Sequence, residues 1–237
     1  RIDRVIADGD QPAAGAVVQL GAANHKCAAL SCFAASVEAG DRRRLAAYFQ
    51  IKLTAADAAS DDAFGGSVAI AGDTVVVGAY YDNHDGGWRS GSAYVFRTAD
   101  GGATYDQVAK LTASDASSYD YFGNSVAIDG GTVVAGAYGD GNTGRGDGTG
   151  AVYVLRTTDG GATYAQVAKL TASDAAAYDN FGHSVAIAGD TVVVGAWADD
   201  DAGTSSGSVY VFRTSDGGAT YGQVAKLTAS DAAAGDS

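Results

Sequence analysis

The hydrophobic positions of residues 64–113 predict four short strands. Residues 67–70 and 92–96 alternate apolar with small or polar side chains, as expected of strands with one buried face. Residues 74–79 form a continuous apolar run, which indicates a strand buried on both faces. A Gly-Asp turn joins the first two strands, and a fourth strand follows at 105–113. One such unit cannot bury its two-sided strand alone, so it must pack against neighbouring units.

The same pattern recurs along the chain with a period of nearly sixty residues. The tetrapeptide Lys-Leu-Thr-Ala begins at Lys52, Lys110, Lys169 and Lys226, and a Phe-Gly pair recurs in step with it. Four antiparallel strands joined by tight turns describe one blade of a β-propeller, so we predict an all-β fold built of propeller blades. The predicted blades are residues 64–113, 122–172 and 181–229, with a partial fourth repeat from 226.

Residues 1–47 do not follow the repeat, so we predict a repeat domain at 48–237 preceded by a separate N-terminal segment. The N-terminal segment is interpreted as helical or disordered, and its alanine-rich stretch 27–39 is the candidate helix. Residues 48–55 resemble the fourth strand of a preceding repeat, one residue shorter than the other copies.

Charge is distributed unevenly along the chain. The formal net charge is −13, of which residues 1–51 contribute +1 and the remainder −14. A surface this negative repels phosphate, so we predict no nucleic-acid partner and favour divalent cations or basic proteins. No apolar run is long enough to span a bilayer, so we also predict no membrane insertion. The two cysteines, Cys27 and Cys32, form no recognisable disulfide or zinc pattern.

The repeats resemble the FG-GAP repeats of the integrin α-subunit propeller and of many bacterial and algal surface proteins. The shared motif is Phe-Gly-x-Ser-Val-Ala-Ile-x-Gly-(Asp/Gly)-Thr-Val-Val-x-Gly-Ala, at residues 64–79, 122–137 and 181–196. The resemblance implies a propeller that serves binding or adhesion at a cell surface or outside the cell.

Two departures from the family pattern limit what the resemblance implies. The proline that ends the family motif is replaced by Tyr80, Tyr138 and Trp197. Integrin-like repeats often hold calcium in an Asp-rich loop between the first two strands, but here that loop is a turn of two or three residues. The family's metal site therefore cannot be transferred to this chain.

A second resemblance lies in the turns between the third and fourth strands. Residues 98–105, 157–164 and 214–221 are similar to the Asp-box of sialidase-type propellers, Ser/Thr-x-Asp-x-Gly-x-Thr-aromatic. The Asp-box is a structural hairpin in that family. We expect its aspartate to accept hydrogen bonds from backbone N–H groups of its own turn.

The sequence does not assemble a catalytic site. A sialidase-like site needs converging arginines, whereas Arg97, Arg156 and Arg213 occupy equivalent places beside the Asp-boxes of successive blades. No Ser/His/Asp set and no Gly-rich phosphate loop can be recognised. Near-identical repeats also argue against catalysis, because a catalytic site needs positions that differ between blades. We therefore predict that this chain is not an enzyme.

The loop after the second strand of each repeat offers oxygen ligands. Each loop begins with the pattern Asp-x-(Asp/Asn/His)-x-Gly. The candidate metal ligands are Asp82, Asp140, Asn142, Asp199 and Asp201, and His84 takes the second position of the first loop. Calcium requires six to eight oxygens, so backbone carbonyls and water would have to complete the site. Two interpretations stay open, a weak calcium site or aspartates and glycines that form solvated turns.

Two function classes are compatible with these features. The favoured one is a non-catalytic binding or adhesion module of a cell-surface or secreted protein, with a protein or glycan ligand. The alternative is a propeller accessory domain of a secreted hydrolase. Open blade edges also predict self-association, because unpaired strand edges pair with other chains.

Overall fold

The computed structural model describes residues 50–141, 148–201 and 203–231, together with three short strands closer to the N-terminus. The chain divides into two units, Arg1–Lys52 and Leu53–Ser237. Each unit is described by itself below.

The first unit contains a three-stranded antiparallel sheet. Its strands are β1 (Val5–Ile6), β2 (Ala16–Val18) and β3 (Ala35–Ser36), hydrogen-bonded in that order. Within the stretch 27–39, where the sequence suggested a helix, the described residues are Ala35 and Ser36, and both lie in β3. The rest of that stretch, including both cysteines, lies outside the described residues.

The second unit consists of three four-stranded antiparallel sheets, each with its strands in sequence order. Blade 1 contains β4 (Ser67–Ala71), β5 (Thr74–Ala79), β6 (Ser92–Arg97) and β7 (Asp106–Leu111). Blade 2 contains β8 (Ser125–Asp129), β9 (Thr132–Ala137), β10 (Ala151–Arg156) and β11 (Ala165–Leu170). Blade 3 contains β12 (Phe181–Ala188), β13 (Thr191–Ala196), β14 (Ser208–Arg213) and β15 (Gly222–Leu227). The predicted all-β fold is confirmed.

No helix occurs in the described part of the chain, so none there could cross a membrane. The three blades lie side by side and, over the described residues, do not close into a ring.

The second strand of each blade is buried on both faces, as its apolar run predicted. Val76 packs into the core between blades 1 and 2, whereas the adjacent Val77 packs into the core on the other face of blade 1. In blade 2, Val133 faces blade 1 and Val134 faces blade 3. Successive side chains of a strand point to opposite faces, so a strand that is apolar throughout serves both cores.

The Phe-Gly pairs that begin blades 2 and 3 join each of these blades to the preceding blade. Phe122 is fully buried in the core that blades 1 and 2 share, and its N–H donates to Ser90 O at 2.9 Å. The backbone of Gly123 lies so close to Gly78 that a Cβ on Gly78 would sit 1.9 Å from Gly123 O. Glycine at position 78 is therefore required by the approach of two backbones.

Candidate functional site

Each blade buries one aspartate just beyond its second strand. Asp82, Asp140 and Asp199 are buried, and each follows the last residue of β5, β9 or β13 by three positions. The N–H of each aspartate donates to the carbonyl of that last strand residue, which turns the chain away from the sheet. These three aspartates hold the first position of the predicted calcium loops.

The partner of each buried aspartate is the lysine of the Lys-Leu-Thr-Ala motif. The ammonium-to-carboxylate distances are 2.7 Å for Lys110–Asp82, 2.7 Å for Lys169–Asp140 and 3.0 Å for Lys226–Asp199. Each lysine also pairs, at 2.6 or 2.7 Å, with an aspartate of the linker that precedes its blade, namely Asp57, Asp115 or Asp174. The motif therefore ties the fourth strand both to the loop of its own blade and to the preceding linker.

A buried tyrosine from the third strand completes each cluster. The hydroxyl of Tyr210 lies 2.9 Å from Asp174 and 2.7 Å from Asp199, within hydrogen-bonding distance of both carboxylates. Burial raises the pKa of Tyr210 well above its ordinary value, and the hydrogen bond to Asp199 raises it further. The phenol therefore stays neutral and acts as a hydrogen-bond donor.

The charged members of the cluster keep their charges at neutral pH. Burial lowers the pKa of Lys226, but its carboxylate partners raise that pKa by more, so it lies above the ordinary lysine value. Burial raises the pKa of Asp199, yet hydrogen bonds from Tyr210 and Lys226 lower it by more. The cluster of blade 3 is thus a set of hydrogen-bonded ions that connects loop, linker and sheet.

Blade 3 gathers three carboxylates, and they surround an ammonium group. Oxygens of Asp174, Asp199 and Asp201 lie within 4.8 Å of one another, and all three residues pair with Lys226. A calcium ion at this place would have to displace the lysine, so the donor set fits an ammonium group better than a metal. A weak calcium site at Asp199 and Asp201 stays a prediction.

The remaining candidate ligands of the predicted calcium loops come from blades 1 and 2. His84 Nδ1 accepts a hydrogen bond from Gly86 N–H at 3.1 Å, and Nε2 lies 3.0 Å from Gly91 O, so this ring holds its own loop together. Asp82 and Asp140 are paired with lysines in the same way as Asp199. Asn142 lies outside the described residues.

The Asp-box turns form the predicted structural hairpins. Asp100 accepts hydrogen bonds from the Thr104 N–H at 2.9 Å and the Thr104 hydroxyl at 2.7 Å, and Thr98 also donates to it. The backbone hydrogen bond from Thr104 contributes most to lowering the pKa of Asp100 to about 2. The prediction that this aspartate bonds backbone N–H groups of its own turn is confirmed.

Two of the repeated arginines also have structural partners. The guanidinium group of Arg97 donates to Gly160 O, in the Asp-box turn of the next blade, and Arg156 donates to Gly217 O in the same way. These contacts explain why arginine recurs beside the Asp-box. The arginines join neighbouring blades and do not converge on one site.

A row of aromatic side chains crosses all three blades at the end of the sheets where the second strands finish. The aromatic row consists of Tyr80, Tyr81, Tyr121, Tyr138, His183 and Trp197. Successive ring centroids along it are 4.3 to 6.2 Å apart, and the Tyr121 and Tyr138 rings stack with an interplanar angle of 12°. Three of its members replace the family's proline, which follows the second strand of each repeat.

Two phenols of the aromatic row, Tyr80 and Tyr138, have a raised pKa and are uncharged at neutral pH. Burial raises the pKa of Tyr138 to about 12, and the neighbouring tyrosines raise it too. The positive charge beside the row belongs to Arg89, whose guanidinium carbon lies 4.3 Å from the centroid of the Tyr81 ring. The row therefore presents a mainly neutral aromatic surface on a strongly acidic chain.

Both tryptophans of the chain are exposed, one in blade 1 and one in blade 3. Trp197 ends the row in blade 3 and is 46% exposed, and Trp88 in blade 1 is 56% exposed. Trp88 lines a cavity of about 430 Å³ together with Tyr81, Asn83, Arg89 and Asp61. Large exposed aromatic residues grouped with a few polar side chains are typical of binding surfaces.

The fold and the repeated contacts define a β-propeller repeat protein, built from blades that pack through two-sided second strands. The family described as FG-GAP repeat matches residues 48–96, 105–155 and 164–212, and the chain belongs to this family. No curated protein matches the chain.

Two solved structures have a limited likeness to the chain. Sqt1 from Saccharomyces cerevisiae is 13% identical with a TM-score of 0.44, over 71% of this chain and 36% of that one. Sqt1 from Chaetomium thermophilum, bound to the N-terminus of the ribosomal protein L10, is 18% identical with a TM-score of 0.41, over 68% and 36%. The chain therefore spans about a third of the length of these two structures.

Sequence reasoning missed the partners of the buried aspartates. The linker aspartate and the lysine of each cluster come from two successive copies of the segment Lys-Leu-Thr-Ala-(Ala/Ser)-Asp, from which the sequence analysis took only the period. The aromatic row was noticed only as a loss of the family's proline. The sequence did contain a signal for this row, because an aromatic residue follows the buried second strand at the same position in all three repeats.

Proposed function

We propose that this chain is a non-catalytic binding module of a cell-surface or secreted protein, and that the aromatic row is its contact surface. The observation that carries the proposal is the continuity of the row, to which all three blades contribute rings. A surface of this kind offers a large apolar contact with little conformational entropy to lose, because aromatic side chains have few rotatable bonds. An adhesion role fits such an extended surface.

Of the two ligand classes considered, a protein or a glycan, the chemistry of the aromatic row favours a neutral glycan. The C–H face of a sugar ring packs against an aromatic ring, and its hydroxyls need hydrogen-bonding groups at the edge of the contact. Asp61, Asn83 and Arg89 provide such groups in the cavity beside Trp88. The net charge of −14 on the repeats disfavours an acidic ligand.

Tryptophan fluorescence tests the proposal directly, because both tryptophans lie at this surface. The chain is titrated with a panel of short neutral oligosaccharides and, in parallel, with a basic proline-rich peptide. We expect a saturable change in emission with at least one oligosaccharide and none with the peptide. Trp88→Ala or Trp197→Ala should weaken binding about tenfold or more, as measured by calorimetry.

Val224→Ala is the matched control for the two tryptophan substitutions. Val224 is about as exposed as the tryptophans but lies on β15 and does not belong to the aromatic row. Binding of the peptide alone would assign a protein ligand and overturn the glycan assignment. Binding that survives both tryptophan substitutions would show that the aromatic row is not the contact surface.

A further inference from the structure

The contact between successive blades has two matching halves. One half is a projecting segment, Phe-Gly-x-Ser, at the start of a blade, and the other is a socket on the preceding blade. Phe181 and Gly182 of blade 3 occupy the socket of blade 2, where the Ser125 hydroxyl donates to Gly182 O at 2.8 Å. Phe122 and Gly123 occupy the socket of blade 1 in the same way, with Ser67 as the donor at 2.8 Å.

Blade 3 carries the same socket, and no Phe-Gly segment of the described residues occupies it. A cavity of about 330 Å³ is lined there by Ser184, Gly195, Gly207, Val209 and Leu227, among others. Ser184 and Gly195 correspond to Ser125 and Gly136 of blade 2, which meet Gly182. Leu227 is 54% exposed, whereas its counterpart Leu170 in blade 2 is 3% exposed.

Blade 1 carries the complementary half, and it is also exposed. Val68 on β4 is 67% exposed, whereas its counterpart Val126, which faces blade 1, is 8% exposed. Ile70 on the same strand is exposed to a similar extent, and Phe64 is only partly buried, in contrast to the fully buried Phe122. The two terminal blades thus present the two halves of one interface that the chain already forms twice.

We propose that a second copy of this chain docks on blade 3 through its own blade 1. The Phe64-Gly65 segment of one copy enters the socket around Gly195 of the other, and Val68 and Ile70 cover Val209 and Leu227. The occupant is assigned by continuity with the two blade-to-blade interfaces, because the corresponding positions carry nearly the same residues in the same order. The contact is heterologous, so association continues head to tail instead of stopping at a symmetric dimer.

Two charge substitutions on exposed positions test the proposal with the full chain. Val209→Lys blocks the socket face and Val68→Lys blocks the projecting face, and neither residue is buried in the chain itself. Both variants carry a lysine, so the two blocked faces repel each other when the variants are mixed. Sedimentation velocity should show concentration-dependent oligomers for the unmodified chain and monomers for each single variant. An equimolar mixture of the two variants should form a dimer that grows no further, because each variant keeps one intact face.

Val167→Lys is the matched control, since Val167 and Val209 are both 37% exposed and Val167 lies in the middle blade. This control should associate like the unmodified chain, and circular dichroism should confirm that all variants are folded. A monomeric unmodified chain at all concentrations would overturn the proposal. So would dimers of Val68→Lys alone, which would indicate a symmetric contact, or a mixture that stays monomeric.

Discussion

The ammonium group of Lys169 lies 2.7 Å from the buried carboxylate of Asp140, across the width of one blade. The carboxylate follows the end of the second strand by three residues, the lysine belongs to the fourth strand, and the hydroxyl of Tyr153 from the third strand reaches the same carboxylate. The same arrangement recurs in blades 1 and 3. The aspartates that the sequence predicted as metal ligands therefore hold the blade together by pairing with the ammonium group of a lysine.

Replacing this lysine by an uncharged residue should destabilise the fold. Lys169→Met leaves Asp140 buried without its charged partner, and we expect a loss of about 1–3 kcal/mol in the free energy of unfolding. Lys52→Met is the matched control, because Lys52 begins the same tetrapeptide but is exposed, and it should change stability by less than about 0.5 kcal/mol. Urea unfolding followed by circular dichroism measures both. Equal effects of the two substitutions would contradict a structural role for the cluster.

Calcium binding should depend on whether Lys226 is present. Since its ammonium group sits among Asp174, Asp199 and Asp201, we expect the unmodified chain to bind calcium weakly, with a Kd of about 1 mM or above. Lys226→Gln removes the competing charge and should tighten calcium binding about tenfold in titration calorimetry.

Lys169→Gln is the control for the calcium experiment, because the described residues give Lys169 two carboxylate partners instead of three. It should tighten binding less than Lys226→Gln does. An unmodified chain that saturates at micromolar calcium would show that the ion displaces Lys226, and Asp199→Ala with Asp201→Ala should then abolish the heat.

Asp120 should make stability depend on pH in mildly acidic solution. Burial, with a smaller contribution from the Asp140 charge, raises the pKa of Asp120 from 3.8 to about 6. Between pH 4 and 6 the folded chain thus binds more protons at this carboxyl than the unfolded chain, so its contribution to stability is lost as the pH rises. Asp120→Asn stays neutral and should gain about 1–2 kcal/mol relative to the unmodified chain over this range.

Melting temperatures at a series of pH values measure this difference. Asp106→Asn, at an exposed position on β7, is the control for the removal of one carboxylate from the chain. A constant difference between Asp120→Asn and the unmodified chain from pH 4 to 7 would contradict the raised pKa.

Because glycine backbones approach closely between blades, replacing equivalent glycines by alanine should cost different amounts of stability. In Gly136→Ala the new Cβ would lie 2.0 Å from Gly182 O of the next blade, so we expect a loss of about 3 kcal/mol or more. In Gly195→Ala the only close contact with a described residue, at 2.3 Å, is the Ser184 hydroxyl, which can rotate away. The expected loss there is below about 1 kcal/mol. Similar denaturation midpoints for the two variants would contradict this blade-to-blade contact.

Local sequence patterns were sufficient to predict the strands and the blades. The alternation at 67–70 and the apolar run at 74–79 reflect which faces are buried, and burial on a strand follows directly from residue order. The Asp-box was equally accessible, because Asp100 bonds to groups within four residues of itself. The role of the buried loop aspartate was predicted less well than the Asp-box, because its lysine partner is distant in sequence. Lys226 lies 27 residues after Asp199, and no local pattern connects them.

The sequence by itself determined the repeat, the two-sided second strand, the hairpin turns and the acidic character of the blades. These properties depend on the order of residues within one repeat and on the sum of their charges. Only the tertiary structure decided that the buried aspartates pair with lysines, that Tyr121 stacks on Tyr138, and that blade 3 carries an open counterpart of an occupied socket. Each of these relationships joins residues from separate strands or separate blades, and their distances are set by the packing of one sheet on the next.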